Sequence, residues 1–80
     1  MPTVLRIGPY RFYFYSRENN EPAHIHVDSN GRDAKVWLAN LDFAYNYGFS
    51  AKELTQILGL VKEHQALFME AWNEHFSDKA

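Results

Sequence analysis

The chain contains no cysteine. This excludes a disulfide framework, a thiolate metal site and a cysteine nucleophile. No apolar run approaches the roughly 18 residues that a membrane span requires, and the N-terminus lacks the long apolar core of a signal peptide. We therefore expect a protein of the reducing cytoplasm that makes no use of a membrane.

Signs of disorder and of a second domain are also missing. The 80 residues are 46% hydrophobic and 16% aromatic, more than a disordered chain carries. There is no internal repeat and no linker rich in glycine or serine. Residues 1–80 are therefore expected to form a single small domain, with little stability to spare.

The charge is low in total but uneven along the chain. A formal net charge of -2 gives no overall attraction for nucleic acid. Residues 1–35 hold five Arg or Lys against four Asp or Glu, whereas residues 36–80 hold three against six. A polyanion is therefore expected to meet one surface only, although an ordinary solvated exterior explains the asymmetry equally well.

Two short turns predict two β-hairpins. Gly8-Pro9 separates strands over Thr3–Ile7 and Tyr10–Tyr15, and Asn30-Gly31 is the strongest short-range hairpin signal. The first predicted register joins Ile7 to Tyr10, Arg6 to Arg11, Leu5 to Phe12 and Val4 to Tyr13. The second joins Val27 to Ala34, His26 to Lys35, Ile25 to Val36 and His24 to Trp37.

The most informative stretch is Ala23-His24-Ile25-His26-Val27. Alternate side chains of a strand share a face, so the two imidazoles are predicted to lie roughly 7 Å apart on one side. Ile25 and Val27 point the other way, toward the core. We therefore expect both histidines to face outward.

The second half of the chain predicts helix. Residues 39–49 alternate like a strand, but we favour one helical turn ending near Gly48. Ser50 and Glu53 form a capping box, and apolar residues then recur at three- and four-residue steps as far as Phe76. This predicts one helix of about 26 residues, about 39 Å long. Because that exceeds what the sheet needs, part of it is expected to serve a partner or a homodimer.

Together these elements predict an α+β fold. It consists of a mainly antiparallel sheet of about four strands in two hairpins, packed against a long C-terminal helix. The polar segment 16–22 is predicted to be an exposed loop, and residues 77–80 a frayed tail.

One set of side chains is predicted on the sheet face opposite the core. Its members are Val4, Arg6, Arg11, Tyr13, Tyr15, His24, His26, Lys35 and Trp37. The set is basic, aromatic and nearly free of carboxylates, a composition in which bases stack on rings while cations meet phosphates. The opposed Arg6 and Arg11 are destabilising unless a phosphate, an acidic partner or splaying into solvent relieves them.

The histidine pair has three alternative roles. His24 and His26 have the chemistry of a general acid and base in RNA cleavage, with Lys35 beside His26 to stabilise the phosphorane. Arg6 and Arg11 would then hold phosphate, while Tyr13 and Trp37 would stack.

As metal ligands, His24 and His26 supply two nitrogens, and nothing in the sequence brings them a third ligand. As structural or partner-contacting residues they need no chemistry at all. No cofactor is predicted, since there is no glycine-rich phosphate loop and no nucleophile elbow.

Five segments occur in a distinctive order: Pro2–Arg6, Gly8–Phe12, Glu21–Val27, Asn46–Ser50 and Glu70–Asn73. This pattern resembles the small bacterial domain-of-unknown-function family numbered 4160. That family looks like one half of two-gene toxin and antitoxin modules, so the resemblance implies a toxin-like protein whose partner is an antitoxin-like small protein. Where the family tends to show Pro-Pro before the histidines, this chain has Pro22-Ala23.

Three functional hypotheses follow. In the first, a toxin-like component engages RNA or the ribosome through the basic, aromatic, histidine-bearing face, with or without a metal-independent ribonuclease-like activity. In the second, the chain is a non-enzymatic protein-binding module. In the third, it is a small metal-dependent enzyme that uses the histidine pair.

Overall fold

The computed structural model describes residues 3–15 and 20–76. Over these residues the chain forms five strands followed by two helices: β1 (Thr3–Ile7), β2 (Tyr10–Tyr13), β3 (His24–Ser29), β4 (Arg32–Trp37), β5 (Phe43–Tyr47), α1 (Ala51–Glu63) and α2 (Gln65–Phe76). Each strand pairs antiparallel with its neighbour in the chain, in the order β1-β2-β3-β4-β5. The antiparallel α+β fold is confirmed, with five strands where about four were predicted. Most of the predicted 16–22 loop and the 77–80 tail lie outside the described residues.

The β3–β4 hairpin forms as its turn predicts. Asn30 and Gly31 have φ angles of 51° and 81°, and positive φ at both central positions is the signature of a type I′ turn. All four predicted pairs, from His24 with Trp37 to Val27 with Ala34, are confirmed.

The β1–β2 hairpin departs from its prediction at one end. Three of the four predicted pairs are confirmed, but Thr3 rather than Val4 pairs with Tyr13, because the register shifts between Thr3 and Leu5. The extra residue of this bulge lets Val4 pack against the core. The prediction that Val4 belongs to the opposite face is therefore wrong, and β2 ends at Tyr13 rather than at residue 15.

Residues 43–47 form a strand, so the predicted helical turn is wrong. After β4 the chain reverses through Leu41, whose φ is 61° and whose N–H donates to the Trp37 carbonyl over 2.8 Å. In β5, Phe43 pairs with Val36 and Tyr45 pairs with Lys35. One extra residue of β5 therefore lies between the two pairs. This bulge turns Phe43 toward the core and Tyr45 toward the opposite face.

The prediction of a single long helix is also wrong, because the helix breaks at His64. The backbone there has φ -109° and ψ 19°. The Leu60 carbonyl accepts from the His64 N–H over 3.0 Å and also lies 2.9 Å from His64 Nδ1. A side chain bonded to its own helix in this way competes with regular helix geometry. The homodimer expected through this helix stays a prediction.

The start of α1 is confirmed in detail. Glu53 N–H donates to the Ser50 hydroxyl over 3.2 Å, and Ser50 N–H donates to the Glu53 carboxylate over 2.9 Å. Arg32 of β4 also donates to this carboxylate over 2.6 Å. The capping box therefore joins the first helical turn to the hairpin end of the sheet.

The core lies between one face of the sheet and the two helices. The rings of Phe12 and Phe68 are tilted by 35° with their centroids 5.3 Å apart, and neither residue is exposed. Phe14 meets Trp72 edge to face at 5.6 Å. Fully burying such a side chain contributes about 1.5 to 3 kcal/mol, so these contacts fix the helices on the sheet. Neither described helix is long and apolar enough to cross a membrane.

Candidate binding surface

A continuous cluster of rings covers the sheet face opposite the core. We call it the aromatic face; its members are Tyr13, Tyr15, His24, His26, Trp37, Tyr45 and Tyr47. Ring centroids of neighbouring members lie 4.8 to 6.3 Å apart. The strand alternation predicted for β2, β3 and β4, together with the bulge in β5, brings the rings to one side.

His26 sits at the centre of the aromatic face. Its ring stacks on Tyr13 at 5.2 Å with a 20° tilt, and it meets Tyr15 edge to face at 4.8 Å. Its Nδ1 lies 3.2 Å from the Tyr45 hydroxyl. Only 3% of the residue is exposed, because these rings cover the imidazole.

His24 is covered completely. Its Nδ1 lies 2.9 Å from the Pro22 carbonyl oxygen, and its ring meets Trp37 at 5.6 Å and Trp72 of α2 at 4.8 Å. The exposed fraction is 0%. Both histidines therefore lie on the predicted side, but the expectation that they face outward is wrong. Alternation determines the side of the sheet, whereas exposure depends on the size of the neighbouring rings.

Arg11 is paired within the chain. Its Nη2 and Nε contact the two oxygens of Asp28 at 2.7 and 3.3 Å, and its guanidinium carbon lies 4.4 Å from the Tyr13 ring centroid. The hydrogen bond to Asp28 raises the pKa of Arg11 further above its ordinary value. Arg6 does lie opposite Arg11 as predicted, and Asp28 supplies the compensating charge for Arg11.

Lys35 is paired as well. Its ammonium contacts the Glu21 carboxylate and lies 4.7 Å from the Trp37 ring centroid. The same carboxylate lies 3.7 Å from His24 Nδ1. Lys35 is therefore held beside the histidines by a carboxylate that the sequence pattern did not place there.

The predicted basic character of this surface is wrong. Of its three cations, Arg11 and Lys35 are paired with the Asp28 and Glu21 carboxylates, and a third carboxylate, Asp33, lies across from Asp28. Asp28 lies on this side because residues 24, 26 and 28 alternate along β3. The pairing of β2 with β3 then sets it across from Arg11, a long-range pairing that local turn signals do not give. The surface is neutral and aromatic.

Arg6 differs from the other two cations. It is exposed on β1, and in the part of the chain that the structure describes it forms no ion pair. Arg6 is thus the one predicted anion-binding residue whose charge is available to a ligand without displacing a described carboxylate.

Solvent reaches the aromatic face through its outer rings. Tyr47 is 65% exposed and Tyr15 45% exposed, while Trp37 and Tyr45 are half-buried. Tyr13 is buried, and this burial, together with the hydrogen bond with Tyr15, raises the pKa of its phenol. The accessible part of the surface consists of neutral rings supported by buried ones.

The described ranges, 3–15 and 20–76, contain no group of three or more His, Asp or Glu side chains arranged to hold a metal ion. The rings of His24 and His26 stand nearly perpendicular, with centroids 5.1 Å apart. Their Nδ1 atoms face Pro22 and Tyr45 respectively.

Sequence reasoning missed two members of the aromatic face and three residues that contact this surface. Tyr45 and Tyr47 were assigned to a helical segment, although their alternation carried a strand signal. Trp72 lies on a helical repeat that indicates only core packing. Asp28 shares the alternation of His24 and His26, but its pairing with Arg11 depends on the β2–β3 register, and Glu21 carries no local signal that distinguishes it from an ordinary surface carboxylate.

With this geometry in place, the chain can be compared with known proteins. The family described as Domain of unknown function (DUF4160) matches residues 10–73. The match spans most of the chain, from the start of β2 into α2 and through both histidines, so the chain belongs to this family. The comparisons with curated proteins and with solved structures found no match.

Proposed function

We propose that this chain is a non-enzymatic binding protein that holds a protein partner against its aromatic face. The observation that carries the proposal is the exposure of Tyr47 and Tyr15 on a cluster of rings whose neighbouring cations Arg11 and Lys35 are already paired with carboxylates. The family resemblance suggests an antitoxin-like small protein as the first partner to test, and the absence of cysteine from the sequence favours the reducing cytoplasm as the place of binding.

The composition of the surface supports a protein partner. Tyrosine, tryptophan and arginine are enriched in protein interfaces and dominate their binding energy. Here His26 contacts Tyr13, Tyr15 and Tyr45 before any partner arrives. Rings that are already fixed lose little conformational entropy on binding, which favours affinity.

Burial of the histidines argues against catalysis as the main role. A general acid or base must come within hydrogen-bond reach of its substrate. His24 is 0% exposed and His26 3% exposed, and their rings are enclosed by other rings. Structural support of the surface is the role that their contacts favour.

A toxin-like protein that engages RNA or the ribosome is the second candidate. One observation favours it: Arg6 is exposed and unpaired among the described residues, and the Tyr15 and Tyr47 rings are open to stacking bases. Against it, a phosphate at Arg11 or Lys35 would have to displace Asp28 or Glu21.

The first test measures affinity for the protein encoded beside this chain, by isothermal titration calorimetry. Tyr47→Ser and Tyr15→Ser are expected to weaken binding at least about tenfold each. The matched control is Leu67→Ser, because Leu67 is a similarly exposed apolar residue, 41% exposed, on α2. Equal affinity of Tyr47→Ser and the unmodified protein would contradict the proposal.

A second test separates protein from RNA. Binding that depends on phosphate contacts falls steeply as salt rises from 50 to 200 mM, whereas contacts between neutral rings change little. We expect weak salt dependence with the protein partner. Tight RNA binding that Arg6→Ala abolishes, with a steep salt dependence, would favour the second candidate.

A further inference from the structure

A second surface lies on the helix side of the molecule, away from the aromatic face. It is a groove of about 500 Å³ between the β1–β2 turn and α1. Its walls include Ile7, Pro9, Tyr10 and Leu60, and Gly59 forms part of its floor. The volume of this groove falls in the range of small-molecule sites, and the groove is shallow and open to solvent.

Gly59 keeps the groove open. Glycine destabilises the interior of a helix relative to alanine, so its presence in α1 needs a reason. A Cβ built on Gly59 would meet no atom within 4 Å, and its φ is not positive. Neither packing within the chain nor backbone conformation requires glycine here, and the space beside its Cα is open to a ligand.

The wall opposite Gly59 is apolar. Tyr10 is buried, and its hydroxyl donates to Gln56 Oε1 over 2.9 Å. This bond satisfies the polar tip of the tyrosine, so the ring contributes hydrocarbon surface to the groove. A ligand that fills this space must be largely apolar.

The charge in the groove has one sign. Glu63 is the charged residue among those that line it, and within residues 3–15 and 20–76 it forms no ion pair. Glu63 is exposed, so its carboxylate is accessible to a ligand. An apolar ligand with a positive group is therefore complementary to the groove.

We propose that this groove binds a small hydrophobic cation, an aryl- or alkylammonium compound. Its hydrocarbon part lies over Gly59, between Tyr10 and Leu60, and its ammonium group lies at Glu63. The proposal does not depend on the aromatic face, because the groove shares no residue with it.

The test is a titration of the full chain in which NMR chemical shifts of the backbone amides report binding. The probes are phenethylammonium and phenylacetate, which have matched shape and opposite charge. Phenethylammonium is expected to give saturable shifts at Gly8 and Gly59, with at least fivefold tighter binding than phenylacetate. Glu63→Gln is expected to make the two probes bind alike. Glu70→Gln, which removes an exposed carboxylate from α2, is the matched control and should leave the preference intact.

Two substitutions at Gly59 separate binding from folding. Gly59→Ala is expected to raise the melting temperature and to weaken phenethylammonium binding several-fold. Gly59→Leu fills the floor and is expected to abolish the saturable shifts, whereas Tyr47→Ser on the aromatic face should retain them.

Three results would overturn the proposal. The first is equal binding of the two probes by the unmodified protein. The second is unchanged phenethylammonium binding in Gly59→Leu. The third is binding of acetyl-Phe-Lys-amide more than tenfold tighter than phenethylammonium, which would assign the groove to a peptide segment of a partner instead.

Discussion

The two faces of the sheet are made by the same strands yet achieve burial differently. On the core face, Phe12, Ile25 and Val36 are fully buried beneath the helices. On the aromatic face, His26 is almost as buried, but the groups that enclose it are tyrosine rings rather than a second layer. Large planar side chains can thus shield one another, and they leave the outermost rings open to a partner.

The largest loss of stability is expected from a substitution on the core face. Phe12→Ala removes a fully buried ring that packs against Phe68, and such changes cost about 3 to 5 kcal/mol. Because small domains have few kcal/mol to lose, urea denaturation should show a largely unfolded protein. Phe12→Leu, which keeps most of the volume, is expected to cost less than about 1.5 kcal/mol. A similar loss in both variants would mean that ring packing is not what holds the helices.

A smaller effect is expected on the aromatic face. His24→Ala removes contacts with Trp37 and Trp72 and should cost about 2 kcal/mol, within the usual range for a buried side chain. His24→Phe keeps a ring in place but loses the Pro22 hydrogen bond, so a smaller loss is expected. Urea denaturation measures both. If His24→Ala lowers the free energy of unfolding by less than about 0.5 kcal/mol, burial among these rings contributes little to stability.

The ion pair on the aromatic face should matter less. The Arg11 and Asp28 side chains are 21% and 34% exposed, so solvent screens their attraction and about 1 kcal/mol or less is expected. A double-mutant cycle with Arg11→Gln and Asp28→Asn isolates the coupling. Repeating it in 1 M salt should reduce the value further, while a coupling of several kcal/mol would mean that charge, not rings, organises this face.

The smallest effect concerns the helix side and depends on pH. The Ser50 backbone hydrogen bond, helped by Arg32, holds the pKa of Glu53 below its ordinary value. A lowered pKa stabilises the fold above the unfolded-state value of about 4.3 and loses this contribution as pH falls through the folded-state pKa. Unfolding free energies measured from pH 5 to pH 3 should therefore fall less in Glu53→Gln than in the unmodified protein. Parallel curves would contradict this.

The elements that the sequence predicts well carry strong local signals. Asn30-Gly31 determines both the turn and the register of β3 with β4, and Ser50 with Glu53 marks the start of α1. The bulge at Val4 has no such marker, since one extra residue in a strand leaves the local composition unchanged. The helix break at His64 depends on a side-chain bond that a periodic apolar pattern does not reveal.

The sequence predicts which side of the sheet carries the candidate surface, but it does not predict the burial of its residues or its charge. Alternation placed His24, His26 and Trp37 together. Their burial and the neutral charge of the face depend on the pairing of β2 with β3 and on Glu21, which precedes the strand. Contacts between segments distant in sequence decide exposure and charge balance, so local patterns cannot supply them.

The order of the strands has a consequence for synthesis of the chain. Each strand after β1 pairs with the strand synthesised just before it. The sheet can therefore assemble through short loop closures, which favours fast folding. The helices that cover the core face come last. A chain still emerging from the ribosome would hold a paired sheet with Phe12, Ile25 and Val36 uncovered. We expect arrested chains that end before residue 51 to aggregate or to bind chaperones, whereas chains that include α2 should not.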